Sequence, residues 1–149
     1  MEKGNYGKFM LMLGLSFVVM YAVMFSNIAE ISHFDLNLNR LYMTILMVAP
    51  MALIMLLVMR PMYRDKKLNT IITVMSIIAI VGSFITLRNQ SFVGDKAFIN
   101  SMIPHHSSAI LVSEEARIHD PELKKLAEEI IRSQKEEIAE MEKIRQRID

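Results

Sequence analysis

The chain has 149 residues, 52% of them hydrophobic, with a formal net charge of +1, fourteen methionines and no cysteine. The lack of cysteine excludes disulfides, thiolate metal sites and cysteine nucleophiles. Residues 1–94 carry eight Lys/Arg against four Asp/Glu, and residues 95–149 carry nine against twelve, so neither part has the basic stripe that nucleic-acid binding requires.

Three uncharged apolar runs come first in the chain. They are 9–29, "FMLMLGLSFVVMYAVMFSNIA", of 21 residues; 41–59, of 19; and 70–87, of 18. At 1.5 Å per residue each is long enough to cross a hydrocarbon core of about 30 Å. None shows the polar stripe of a water-soluble core helix. The first run is too long for a signal-peptide core and no small-residue cleavage site follows it, so it reads as an uncleaved anchor. Residues 1–87 are therefore expected to form a membrane domain whose partner is the lipid bilayer.

Orientation follows from the loops. Lys3 and Lys8 precede the first run, and Arg60, Arg64, Lys66 and Lys67 crowd the second loop. The loop between the first two runs offers only Arg40 against Glu30 and Asp35. The positive-inside rule places the N-terminus in the cytoplasm of a multi-pass, bacterial-type inner or plasma membrane. After three crossings the C-terminal segment lies in the periplasm or an equivalent extracytoplasmic space. Met43, Met47, Met51, Met55 and Met59 stand at four-residue intervals in the second run and share one drifting helix face. Such a thioether ladder suits a soft cation. Flexible apolar packing is the plainer account, since nothing polar accompanies it. Pro50 interrupts the same helix.

Residues 88–94 read as a linker, and 95–149 as a helical hairpin. Asp95 has the character of an N-cap, and Phe98, Met102, Ile103, Ala109, Ile110 and Val112 keep helical spacing, with a kink expected at Pro104. "HDPE" stops one helix and starts another, Asp120 capping and Pro121 taking the first helical position. The last helix repeats apolar residues from Leu123 to Ile148. Two helices of this size bury too little surface to stand alone. Pairing with a second copy into a four-helix bundle is the economical solution, giving a homodimer or higher homo-oligomer. Packing on the helices of a partner protein is the other.

The chemistry concentrates at "SMIPHHSSAI". Met102 lies three and four residues before His105 and His106, so all three reach one side of the helix. Counting back from a turn near His119 sets His105 opposite Ser133, with Gln134, Glu137 and Met141 following on the inward stripe. Gln134 and Glu137 interrupt an otherwise apolar row there, and a buried glutamate needs compensation. A metal held by imidazole, thioether and carboxylate supplies it, and that mixture suits copper, as Cu(I) or Cu(II), better than zinc. His33 and His119 read as structural.

The pattern Asp95, Phe98, Met102, His105-His106, Ala109, followed by "DPELKKLAEEIIRSQKEEIAEME", resembles the ferritin-like family catalogued as domain of unknown function 305. The resemblance covers about residues 93–145. It implies a helical bundle, often extracytoplasmic, with some members linked to copper or silver binding and tolerance. It also implies that the family's polar positions fall on Asp95, Met102, His105, His106, Gln134, Glu137 and Met141. Val112 stands where family members often have methionine.

The expectation is thus an all-α chain: three transmembrane helices and an extracytoplasmic hairpin that dimerises into a ferritin-like four-helix bundle. Its expected work is copper or silver sequestration, sensing or hand-over, rather than turnover, with a metal-handling protein as a possible partner. His105, His106, Met102 and Met141 would ligate, Glu137 and Asp95 would ligate or orient, and Gln134 would hydrogen-bond. The alternative is an interaction module that docks a partner without metal. A di-iron carboxylate enzyme would need Glu-x-x-His pairs on the bundle helices, and 95–149 has none.

Overall fold

The computed structural model describes residues 2–148, with side chains from residue 5 onward. Its described residues form five α-helices and one short 3-10 helix, and no strand occurs among them. The helices are α1 (Glu2–Val23), α2 (Leu38–Val58), α3 (Lys66–Arg88), α4 (Asp95–Glu115) and α5 (Pro121–Ile148), with the 3-10 turn at Ile31–His33. Three segments, Asn5–Val23, Leu38–Val58 and Lys66–Arg88, are long and apolar enough to cross a membrane.

The chain divides into two compact units. One contains residues up to Val23 together with Asn39–Ser91; the other contains Met24–Leu38 together with the residues from Phe92 onward. In the first unit Phe9, Tyr6, Ala52, Leu56 and Tyr63 form a buried cluster backed by Leu13, Met55, Met62, Leu68 and Ile72. Polar bonds fix its rim. The Tyr6 hydroxyl donates to Asn69 Oδ1 at 2.8 Å and accepts from the Asp65 N–H at 3.1 Å. The Asn69 amide donates to the Tyr63 carbonyl at 2.8 Å. α3 starts where the Asp65 carboxylate accepts the Leu68 N–H, an N-cap that satisfies one orphan donor. Pro50 sits inside α2 without ending it.

One expected span is corrected. The apolar run predicted a helix to Ala29, but α1 stops at Val23. Ser26 and Asn27 compete locally with helical hydrogen bonding. The residues beyond Val23 also gain partners in the second unit, with Phe25 against Phe34 (ring centroids 4.2 Å apart) and Ala29 in the hairpin's core. The loop Met24–Leu38 thus folds with the hairpin, not with the apolar helices. The methionine ladder is also resolved by direction: Met43, Met47 and Met59 are exposed, while Met55 packs on the cluster.

In the second unit α4 and α5 pack together around Ile99, Ile103, Ile110 and Ile138, with Ile131, Met141 and Ile144 against them. Gly94 is the N-cap of α4, with Asp95 its first residue, so the expected Asp95 cap shifts by one position. Asp120 caps α5 as expected, its carboxylate accepting the Leu123 N–H at 2.8 Å. Pro104 is fully buried within a helix that continues on either side of it.

Candidate site at the hairpin interior

Adjacent helical residues point about 100° apart, so His105 and His106 cannot share one direction. His106 is buried at 7% exposure and His105 is exposed. His106 Nδ1 lies 2.8 Å from the Met102 carbonyl oxygen, one turn back on α4. Its Nε2 lies 2.6 Å from Glu137 Oε2 on α5. The second Glu137 oxygen accepts from the Ser133 hydroxyl at 2.7 Å. A carbonyl oxygen only accepts, so Nδ1 donates to Met102, and the Nε2–Glu137 contact holds one proton between ring and carboxyl. The Ser133 hydroxyl, followed by His106, holds the Glu137 carboxyl below its ordinary value.

Of the other predicted site residues, Met102, Gln134 and Met141 lie within about one turn of this pair along their helices, and Asp95 does not. Met102 supplies its carbonyl to His106 and its side chain is half-buried. Met141 packs against the isoleucine cluster. Gln134 is half-buried, and Asp95 is exposed, about three turns before His106 on α4. The His105 ring stands edge-on to that of His106 with centroids 5.8 Å apart. Among the described residues no group of three or more His, Asp and Glu gathers in a metal-holding arrangement. Measured against a copper ion, the donor types fit and the tethered His106 ring is oriented as a ligand is. One chain, however, brings together only one imidazole and one carboxylate.

A second polar centre escaped the sequence reading. Ser107 is completely buried. Its Oγ accepts the Ala29 N–H at 2.7 Å and lies 2.8 Å from His33 Nδ1. The serine hydroxyl thus hydrogen-bonds both the Ala29 amide and the His33 ring, the second in the direction that the His33 tautomer sets. Nearby, the Ser108 hydroxyl donates to the Asn27 carbonyl at 2.8 Å. Arg145 donates to Asp35 and to Glu142, each at 2.8 Å. These bonds strap the Met24–Leu38 loop along the hairpin. A cavity of about 390 Å³ lies beside the strap, lined by Glu30, His33, Ile110, Glu114, Lys135 and Ile138 among others. The "HHSS" run carried the signal for Ser107, but its loop partners are more than 70 residues away in sequence.

The family model described as domain of unknown function (DUF305) matches residues 83–145. The chain is also 40% identical over 143 residues to an uncharacterised protein, L153, of Acanthamoeba polyphaga mimivirus, covering 94% of this chain and 92% of that protein. That similarity runs through the three apolar helices as well as the hairpin. No solved structure matches.

Proposed function

For a chain that belongs to the DUF305 family, with three apolar helices ahead of the hairpin, we propose a membrane-anchored metal-binding protein. Its N-terminus lies in the cytoplasm and its hairpin outside a bacterial-type inner or plasma membrane, where it sequesters, senses or hands over copper. The loop charges support the orientation, since Arg60, Arg64, Lys66 and Lys67 collect on one side. A second copy covers the hairpin. In support, Phe98, Val112, Leu123 and Leu126 each remain about half-exposed or more on the single chain.

The observation that carries the metal reading is the His106–Glu137 contact. A bound copper ion would take the place of the proton that these two groups share, and would neutralise the carboxylate. His106 and Glu137 hold the ion, and Met102 and Met141 supply thioether sulfur. His105 adds imidazole from the exposed side, and Gln134 orients the ligands through hydrogen bonds, while Asp95, about three turns away on α4, takes no part. Because ligation needs a deprotonated imidazole, binding releases a proton and weakens in acid. Titration of the detergent-solubilised full chain with Cu(I), Cu(II) and Zn(II) tests this. A His105→Ala/His106→Ala variant that binds as tightly as the parent sinks the assignment.

A second reading is favoured by the completeness of the network. Both His106 nitrogens and both Glu137 oxygens already have protein partners, so the network serves equally as a register lock for a hairpin that docks a partner without metal. It requires a thermal midpoint unchanged by chelation.

A further inference from the structure

A groove of about 510 Å³ opens between the end of α2 and the first turns of α3, lined by Leu53, Leu56, Leu57, Arg60, Asn69 and Thr73. Leu53, Leu56, Leu57 and Arg60 follow at 3- and 4-residue spacing and form one stripe, apolar for its length and cationic at its end. Asn69 and Thr73, four residues apart on α3, complete a polar mouth. The Asn69 amide is fixed by its bonds to Tyr6 and Tyr63, so this side of the mouth is held in place.

Arg60 makes no ion pair among the described residues. Residues 60–67 hold four cations, Arg60, Arg64, Lys66 and Lys67, against the single acid Asp65, whose carboxylate is engaged in capping α3. The mouth therefore carries an uncompensated positive charge above an apolar wall. That is the complement of an amphiphile with an anionic head and a hydrocarbon tail. Basic pockets at helix ends on the cytoplasmic side suit lipid phosphates, and hydrocarbon is the filling available to an apolar groove within a bilayer.

We propose that this groove binds one anionic glycerophospholipid, its phosphate at Arg60 and an acyl chain along Leu53 and Leu57. The inference rests on the membrane-anchored reading and is independent of the metal. The chain has no tryptophan, so Leu57→Trp installs a single fluorescent reporter in the groove wall. The full-length reporter protein is placed in bilayers containing brominated phosphatidylglycerol or brominated phosphatidylcholine, and quenching is compared.

The expected result is about a fivefold preference for the anionic lipid, the size of one basic side chain's contribution at a membrane surface. Adding Arg60→Ala removes the preference, and adding Arg64→Ala, the same charge change outside the groove lining, leaves it. Equal effects of the two variants, or no preference in the reporter protein, overturn the site and leave the chain membrane-bound. Absence of quenching by either lipid overturns the membrane reading itself. Native mass spectrometry of the unlabelled chain and its Arg60→Ala variant, counting retained phosphatidylglycerol, makes the same comparison without the reporter.

Discussion

Replacing Ser107 by alanine isolates the strap that joins the Met24–Leu38 loop to the hairpin. The hydroxyl is completely buried and serves two partners, accepting from Ala29 N–H and hydrogen-bonding His33 Nδ1. Alanine removes one oxygen, leaves almost no cavity, and takes a bond from two half-buried partners that line the adjoining cavity. A buried group left unpaired costs about 1–3 kcal/mol, and half-burial of both partners puts Ser107→Ala in the lower part of that range, about 1–2 kcal/mol. Ser108 offers an internal control with the same chemistry. Its bond to the Asn27 carbonyl is exposed, so water replaces it and Ser108→Ala costs about 0.5 kcal/mol or less. Amide hydrogen exchange of the full chain in detergent reads the difference in peptides spanning residues 24–38. Protection there falls by roughly 5- to 30-fold in Ser107→Ala, and about twofold or less in Ser108→Ala. Equal losses in the two variants, or no loss in Ser107→Ala, would refute the claim that burial of this hydroxyl holds the loop.

Acid weakens the hairpin through Glu137. Its carboxyl sits below the ordinary value of 4.5 in the folded state, so the stabilisation is present above that value and lost as pH falls through the folded one. Thermal midpoints measured from pH 6 to pH 3 drop in the parent and flatten in Glu137→Gln. Arg145→Ala leaves Asp35 and Glu142 without their shared cation, at a cost of about 1 kcal/mol read from the same melts. Changing Met47, Met51 and Met55 together to leucine leaves copper affinity unchanged if the hairpin holds the metal. A loss would relocate the ion to the α2 ladder.

Much of this architecture is legible in the residues because the signals are local. Three uncharged runs give three long apolar helices, and Asp120-Pro121 marks the start of α5 to the residue. Glu137 does meet a histidine of the HH pair, but its side chain is 48% exposed, so the expected buried carboxylate in need of compensation is corrected: water solvates it. Counting residues from the turn sets the register wrongly, with His105 opposite Ser133. The turn is not centred on His119: α4 ends at Glu115, α5 starts at Pro121, and the ties across the hairpin join Glu114 to Lys135 and His106 to Glu137. His106 therefore faces Glu137 and His105 turns outward. The His33–Ser107 bond has no local signature, since it joins a loop to a helix 74 residues away. The end of α1 was hidden because Met24, Phe25, Ile28 and Ala29 are as apolar as the helix before them, and only their packing in the other unit separates them.

The central claim is that the His106–Glu137 pair exchanges its shared proton for a metal ion. The direct measurement is competitive Cu(I) titration of the detergent-solubilised full chain, alongside His106→Ala, with proton release recorded in the same experiment. The account predicts saturable binding by the parent with release of a proton per ion, and binding weakened by 100-fold or more, roughly, in the variant. Equal affinity of parent and variant, or binding without proton release, would contradict it.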